Sequence, residues 1–331
     1  MPSSATTLKS YFETGDKPTA AQFAELIDGN LNLNDGGTVT GNVTLNGRLT
    51  RTSPETMLAW NYITCPAPIV SQFGSSADGV LADGDQFGIA FPGVNGELVP
   101  STAYSIGAFT AAGTVPIVEG TIPATDTAGT SAGLNLQMDA ATANNVGIEI
   151  VFGGNALGGG NGITVGTHTA TIDATIHAPD YSDFDCVSFG FRKIQAFQAG
   201  HAGVVSLATG DPLYTDFATF GIQTVENIRI ATDLNDGGSG TYTDSTQNVT
   251  DNQNHRFKIS LASNGAVTYE HIGNAVAGAG TLAAPSSTAA FTFDSGDVLV
   301  PYMIVLGTNV NDKISLKDIT ITRSPGISYQ N

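Results

Sequence analysis

Along most of this chain apolar residues recur at every second position in short runs, and Gly, Asn, Asp or Pro separates one run from the next. Runs of this kind are strands, because successive side chains point to opposite faces of a sheet. Beyond Ser131 they come regularly: Ile148 to Phe152, Thr169 to His177, Val187 to Phe191, Phe220 to Ile222, Ile228 to Ile230, His255 to Leu261, Val267 to His271, Phe291 to Phe293, Val298 to Leu306 and Ile314 to Ile321. So many short strands in one block predict an antiparallel β-sandwich or jelly roll over 131–331. Phe257, Ile259 and Leu261 fall on one parity and Arg256, Lys258 and Ser260 on the other, which predicts one dry and one wet face. Val298 to Leu306 is nearly all apolar around Pro301 and reads as a central strand buried on both faces, with a bulge or bend at the proline. Ile314 and Leu316 share one parity while Ile319 and Ile321 take the other, so a bulge is expected at Lys317-Asp318.

The first fifty residues differ. Thr19 and Gln22 are spaced as a capping box, Pro18 and Phe23 as a hydrophobic staple, and Phe23, Leu26 and Ile27 form one narrow apolar stripe of a short helix. From Thr38 to Thr50 the residues alternate without a break, with Val39, Val43, Leu45 and Leu49 on one parity together with Gly41 and Gly47. Asn46-Gly47 inside this run suits a type I′ hairpin turn, so a hairpin and a single strand that closes on copies of itself are both open. Neither a helix of about three turns nor a lone strand is stable in water, so the segment needs a partner. A homotrimer joined through Phe23, Leu26, Ile27, Val39, Val43, Leu45 and Leu49 supplies one; docking on another protein supplies the alternative. Four parts follow: an N-terminal helical docking segment over 1–35, a short β-repeat stalk over 36–64, a small β-module or linker arm over 65–130, and the sandwich from 131 to 331. The Thr, Ala and Gly stretch from Thr121 to Ser131 marks the boundary near 130.

Leu8-Lys9-Ser10-Tyr11-Phe12-Glu13-Thr14-Gly15-Asp16-Lys17-Pro18-Thr19, with Gln22-Phe23 and Leu26-Ile27-Asp28 after it, resembles the N-terminal signature of tailed-phage virion structural proteins of the tail or fibre kind. Gly37-Thr38-Val39-Thr40-Gly41-Asn42-Val43-Thr44-Leu45-Asn46-Gly47 is similar to the short repeats that follow such heads in phage fibres. Leu134 to Thr322, notably Val187 to Lys193 and Phe291 to Asp297, looks similar to the concanavalin-like lectin and glucanase sandwich carried by such proteins. The resemblance implies a virion structural protein (head fibre, capsid decoration or tail fibre) assembled in the host cytoplasm. It would have other capsid or tail proteins as partners and display a lectin-like domain to host-surface glycans. A carbohydrate-binding module on a phage-like stalk is the alternative reading. The resemblance brings no catalytic residues with it.

Composition narrows the function further. Only 12 Lys and Arg stand against 30 Asp and Glu, giving a net charge of −18, so there is no basic stripe to neutralise phosphates and nucleic-acid binding is not expected. The acidity is spread along the chain, as suits a protein kept soluble in water. No apolar run approaches the roughly 20 residues of a membrane span, and Met1-Pro2-Ser3-Ser4 does not open a secretory leader, so neither insertion nor export is expected. Cys65 and Cys186 have no neighbours at metal spacing and are expected to be buried thiols.

Enzymatic readings fare badly. A glucanase of the concanavalin type needs a Glu-x-Asp-x-x-Glu cluster with two carboxyls about 5 Å apart, and no such triplet occurs. His168, His177, His201, His255 and His271 never stand at paired metal spacing, so they are expected as separate core or surface residues. No cofactor is expected, with calcium the one candidate ion. Asp180, Asp183 and Asp185, and Asp233, Asn235 and Asp236 before Gly237, place hard oxygens at short intervals, which suits either calcium or a solvated turn. Tyr181, Phe184, Tyr214, Tyr242 and Tyr269 would stack on a sugar if they surface together, or pack the core if they do not.

Overall fold

The computed structural model describes residue 19 and residues 55–61, 65, 68–72, 86–93, 98–106, 117–121, 133–139, 146–152, 162–197, 214–223, 226–235, 240–273, 281–307 and 310–324. The chain divides into two compact units, Met1–Leu49 and Thr50–Asn331. The expected N-terminal helix, the alternating run and the oligomerisation residues Phe23, Leu26, Ile27, Val39, Val43, Leu45 and Leu49 lie outside the described residues.

In the second unit every regular element among the described residues is a strand, and every strand pairing is antiparallel. In chain order they are β1 (Glu55–Asn61), β2 (Ile69–Gln72), β3 (Gln86–Pro92), β4 (Leu98–Ile106), β5 (Ile117–Thr121), β6 (Gly133–Asp139), β7 (Val146–Val151), β8 (Ile163–Thr164), β9 (Ala170–His177), β10 (Phe184–Lys193), β11 (Phe217–Gln223), β12 (Asn227–Asp233), β13 (Thr241–Asn248), β14 (Asn254–Leu261), β15 (Val267–Gly273), β16 (Val298–Gly307) and β17 (Val310–Arg323). A seven-stranded sheet runs β15-β14-β9-β17-β6-β5, with β1 also on β17. A ten-stranded sheet runs β13-β12-β11-β10-β16-β7-β4-β3-β2, with β8 also on β16.

The two sheets share one core. Phe189 and Phe220 of the larger sheet meet Phe257 of the smaller one, with ring centroids 6.4 and 5.5 Å apart. At the other end Trp60 on β1 packs edge-on against Phe91 on β3 at 5.8 Å, and Phe91 leads on to Phe152. The parity expected for β14 is the parity found: Phe257, Ile259 and Leu261 are buried, while Arg256 and Lys258 lie outward against Asp173 and Glu270. In β17 the register with β9 shifts between Leu316 and Asp318, and that shift lets Ile314, Leu316, Ile319 and Ile321 all reach the interior. Cys65 and Cys186 are free and buried.

Several expectations are corrected. The boundary near 130 does not separate two folding units, because β5 pairs with β6 across it and β2, β3 and β4 extend the larger sheet through β7. The stalk assigned to 36–64 likewise loses its C-terminal part, since β1 is a strand of the smaller sheet with Trp60 inside the core. Phe291 to Phe293 is no strand but a single bridge, Ala266 to Thr292. Pro301 makes no bulge: β16 keeps an unbroken register with β10 from Leu299 to Leu306. On its other side β16 changes partner at this point, from β8 at Val298–Leu299 to β7 at Tyr302–Gly307, so a residue without an N–H fits the gap. The strands β6, β8 and β13 were not expected. β13, Thr-Tyr-Thr-Asp-Ser-Thr-Gln-Asn, is an edge strand with little apolar alternation to betray it.

Candidate functional site

The larger sheet turns one face to the core and the other outward, and the outward face changes character along its width. Its centre is sealed by the described ends of the connection between β10 and β11. Arg192 on β10 is fully buried there, with Nε 2.9 Å and Nη2 2.8 Å from Glu149 Oε1 on β7. Its Nη1 donates to the carbonyls of Lys193 and Gln195, and its Cζ lies 4.2 Å from the centre of the Tyr214 ring. Tyr214 Oη donates to Glu149 Oε2 at 2.6 Å, so both carboxylate oxygens are occupied. Burial alone would lower the Arg192 pKa; the Glu149 carboxylate offsets this and the net shift is upward. Tyr302 beside this group is held well above the usual phenol range by burial. Phe197, from the same connection, stacks flat on Tyr104 with centroids 4.5 Å apart. Glu149 is the kind of carboxylate a glycoside hydrolase would place on such a face, but here it is engaged by a guanidinium and a phenol.

Beyond Tyr104 the outward face opens. The register Gln86 to Tyr104 to Glu149 carries the same parity onto β3 and β4, where Gln86, Gly88, Ala90, Pro100 and Thr102 face outward. They line a groove of about 300 Å³. Its floor is low because the large residues Phe87, Ile89 and Phe91 all point into the core. Ile69 and Leu98 stand near its edge at 53% and 57% exposure. A floor of short side chains with the Gln86 amide at hand is a surface on which an extended, uncharged ligand can lie and exchange hydrogen bonds. Sequence reading missed this groove, although the strict large-small alternation of Phe87-Gly88-Ile89-Ala90-Phe91 was its signal.

The acidic residues divide differently from their order in the sequence. Asp180 is brought together with Glu226 and Asp251, each offering a ligand oxygen within 4.8 Å of the others. Asp183 and Asp185 do not join them. Asp180 Oδ1 already accepts from the Ser182 amide and hydroxyl, and Asp251 Oδ1 from the Tyr181 amide. An all-carboxylate set suits a hard cation such as calcium. Asp233 and Asn235 belong to a different cluster: Asp233 accepts from the Leu234 amide, and Asn235 donates from its backbone to Asp216 and from its side chain to Asp294. This cluster has its own cation, since Lys193 Nζ lies 3.3 Å from Asp216 and 2.7 Å from Asp297. Hydrogen bonding to Asp297 accordingly raises the lysine pKa. Asp236 lies outside the described residues.

The aromatic set weighed for sugar stacking does not surface: Tyr181, Phe184, Tyr214 and Tyr269 are buried, and Tyr242 is half-buried. The histidines are not all separate. His255 and His271 meet at 3.1 Å in the interior, with His177 buried nearby, while His201 lies outside the described residues.

No protein-family model and no curated protein matches this chain. Solved structures with which it shares similarity include a protein of unknown function from Shewanella oneidensis MR-1, at 12% identity, covering 89% of this chain and 100% of that one, TM-score 0.43. Another is arcelin-5, a lectin-like defense protein from Phaseolus vulgaris, at 11% identity over 68% of this chain and 99% of that one, TM-score 0.40. A third is the CBM2 module of the evolved Dit of Lactobacillus casei BL23 phage J-1, at 7% identity over 85% and 100%, TM-score 0.41.

Proposed function

We propose that this chain is a structural protein of a bacteriophage virion, a head fibre, capsid decoration or tail fibre, that holds a lectin-like sandwich outward to adhere to host-surface glycans without turning them over. The observation that carries the adhesive part is the contrast on one sheet face: the Glu149 carboxylate at its centre is neutralised and sealed, while the accessible groove on β3 and β4 offers short side chains and the Gln86 amide. Such a surface suits neutral sugars. With a net charge of −18, the chain would repel acidic polysaccharide. The virion assignment rests on the sequence resemblance of residues 8–47, which also motivates trimerisation and capsid or tail partners. Glycan recognition as the main activity, on a stalk of phage type, is the second reading, and the groove favours it equally.

Two measurements separate these readings. Immunolabelling of intact particles is expected to find the protein on the virion at a fixed copy number; its absence from particles would sink the structural reading. Glycan-array binding by the full chain is expected to reveal neutral glycans and to disappear in Ala90→Trp, which fills the groove. Binding that survives Ala90→Trp would move the site elsewhere.

A further inference from the structure

Beneath the turn at 249–253 the interior of the sandwich holds two imidazoles whose hydrogen bonds run in one direction. The β14–β15 hairpin closes at Asn264-Gly265, where Gly265 takes φ +89° and an added Cβ would stand 2.3 Å from the Phe293 carbonyl oxygen. The register it fixes sets Phe257 opposite His271 and His255 opposite Gly273, so the histidines are diagonal neighbours on the buried face. His255 Nδ1 lies 3.1 Å from His271 Nε2, with the ring planes parallel to within 4°. His255 Nε2 lies 2.9 Å from the Thr250 amide nitrogen and 3.2 Å from the Thr250 carbonyl oxygen. His271 Nδ1 lies 3.1 Å from Gln247 Oε1.

The backbone amide can only donate, and that assigns the rest. Thr250 N–H donates to His255 Nε2, His255 Nδ1–H donates to His271 Nε2, and His271 Nδ1–H donates to Gln247 Oε1. All four ring nitrogens are used, with both rings neutral. A first added proton finds an acceptor only by turning His255 Nε2 from the Thr250 amide to the Thr250 carbonyl. A second sets N–H against N–H between the rings.

We propose that this pair is an acid-released latch on the 249–253 turn. The turn is a junction: Val249 donates to the Glu226 carbonyl, Asn252 to the Ala178 carbonyl, Tyr181 donates from its amide to Asp251 and from its hydroxyl to the Gln253 carbonyl. Opening it separates Asp251 from Asp180 and Glu226 and frees the connections on either side. The titratable groups around the pair are His177 on β9, Tyr181 edge-on to His255 at 5.3 Å, and Asp251 in the turn, with Asp180 and Glu226 beyond it. Burial draws His255 down to about 4, with His177 adding to the effect, and draws His271 down to about 3.

Both folded values are depressed from 6.5, so the open turn binds the proton more tightly than the closed one. The latch therefore holds fully above pH 6.5 and loosens as the pH falls to about 4. On the full chain, ring-nitrogen chemical shifts and amide hydrogen exchange from pH 7.5 to 4 test this. The rings are expected to stay neutral at pH 5. Thr250 protection, corrected for intrinsic exchange, should fall below pH 6.5 by about tenfold per pH unit for each ring that the opening frees to take a proton, while the Ile259 amide keeps its protection. The variant His255→Gln/His271→Gln should lose this pH response, and Asp251→Asn should keep it. Either ring titrating near 6.5, a flat Thr250 profile, or a response that follows Asp251 in place of the histidines would overturn the latch.

Discussion

The outward faces of the two sheets carry the same kind of ion pair in opposite surroundings. On the smaller sheet Arg256 meets Asp173 at 2.7 Å with side chains 17% and 20% exposed, and Lys258 meets Glu270 at 31% and 32%. On the larger sheet Arg192 meets Glu149 with neither side chain exposed at all. Geometry is nearly equal and energetics are not. The wet pairs keep part of their hydration, so forming or losing them changes less. The sealed pair has given up its water, and each charge depends on the other and on Tyr214 to compensate. The smaller sheet solves the problem of an outward face by leaving it polar; the larger one covers its centre with its own chain and leaves the β3–β4 margin open.

The sharpest break in this comparison is Glu149→Ala, expected to cost about 3–5 kcal/mol in denaturant unfolding because it strands the Arg192 guanidinium in the interior. The triple variant Arg192→Met, Glu149→Met, Tyr214→Phe removes all three polar partners together and is expected to recover most of that loss. A triple variant as unstable as Glu149→Ala would mean that the charges themselves hold the connection down. Asp173→Ala on the wet face is expected to cost about 1 kcal/mol or less, and less still in high salt. A salt-insensitive loss of several kcal/mol there would show that the two faces do not differ as described. The smallest expected effect concerns the acidic clusters. Calcium is expected to raise the melting temperature slightly through Asp180, Glu226 and Asp251, and Glu226→Gln should abolish the rise. Asp233→Asn should leave it untouched, since Lys193 already neutralises that neighbourhood; a calcium response that follows Asp233 would reverse the assignment.

Alternation alone determined a great deal here. It predicted β7, β9, β10, β11, β12 and β14 to β17 but not β6, β8 or β13, and it predicted the dry parity of Phe257, Ile259 and Leu261 and the shift of parity between Leu316 and Asp318, because which side of a strand a residue occupies depends only on its neighbours in the chain. The β3 alternation was equally legible as a surface of small residues, and went unread. What local pattern does not contain is the identity of the partner across a sheet. That β1 and β5 join the smaller sheet while β2, β3 and β4 extend the larger, that Glu149 meets Arg192, and that Asp180 finds Glu226 and Asp251 and not its own neighbours, are consequences of long-range pairing. His255 and His271 lie between these cases, adjacent only once the hairpin turn at Asn264-Gly265 sets the register. Burial completed the difference: the same arginine and carboxylate chemistry became a wet surface pair or a sealed core according to whether another stretch of chain lay over it, which no residue in the pair encodes.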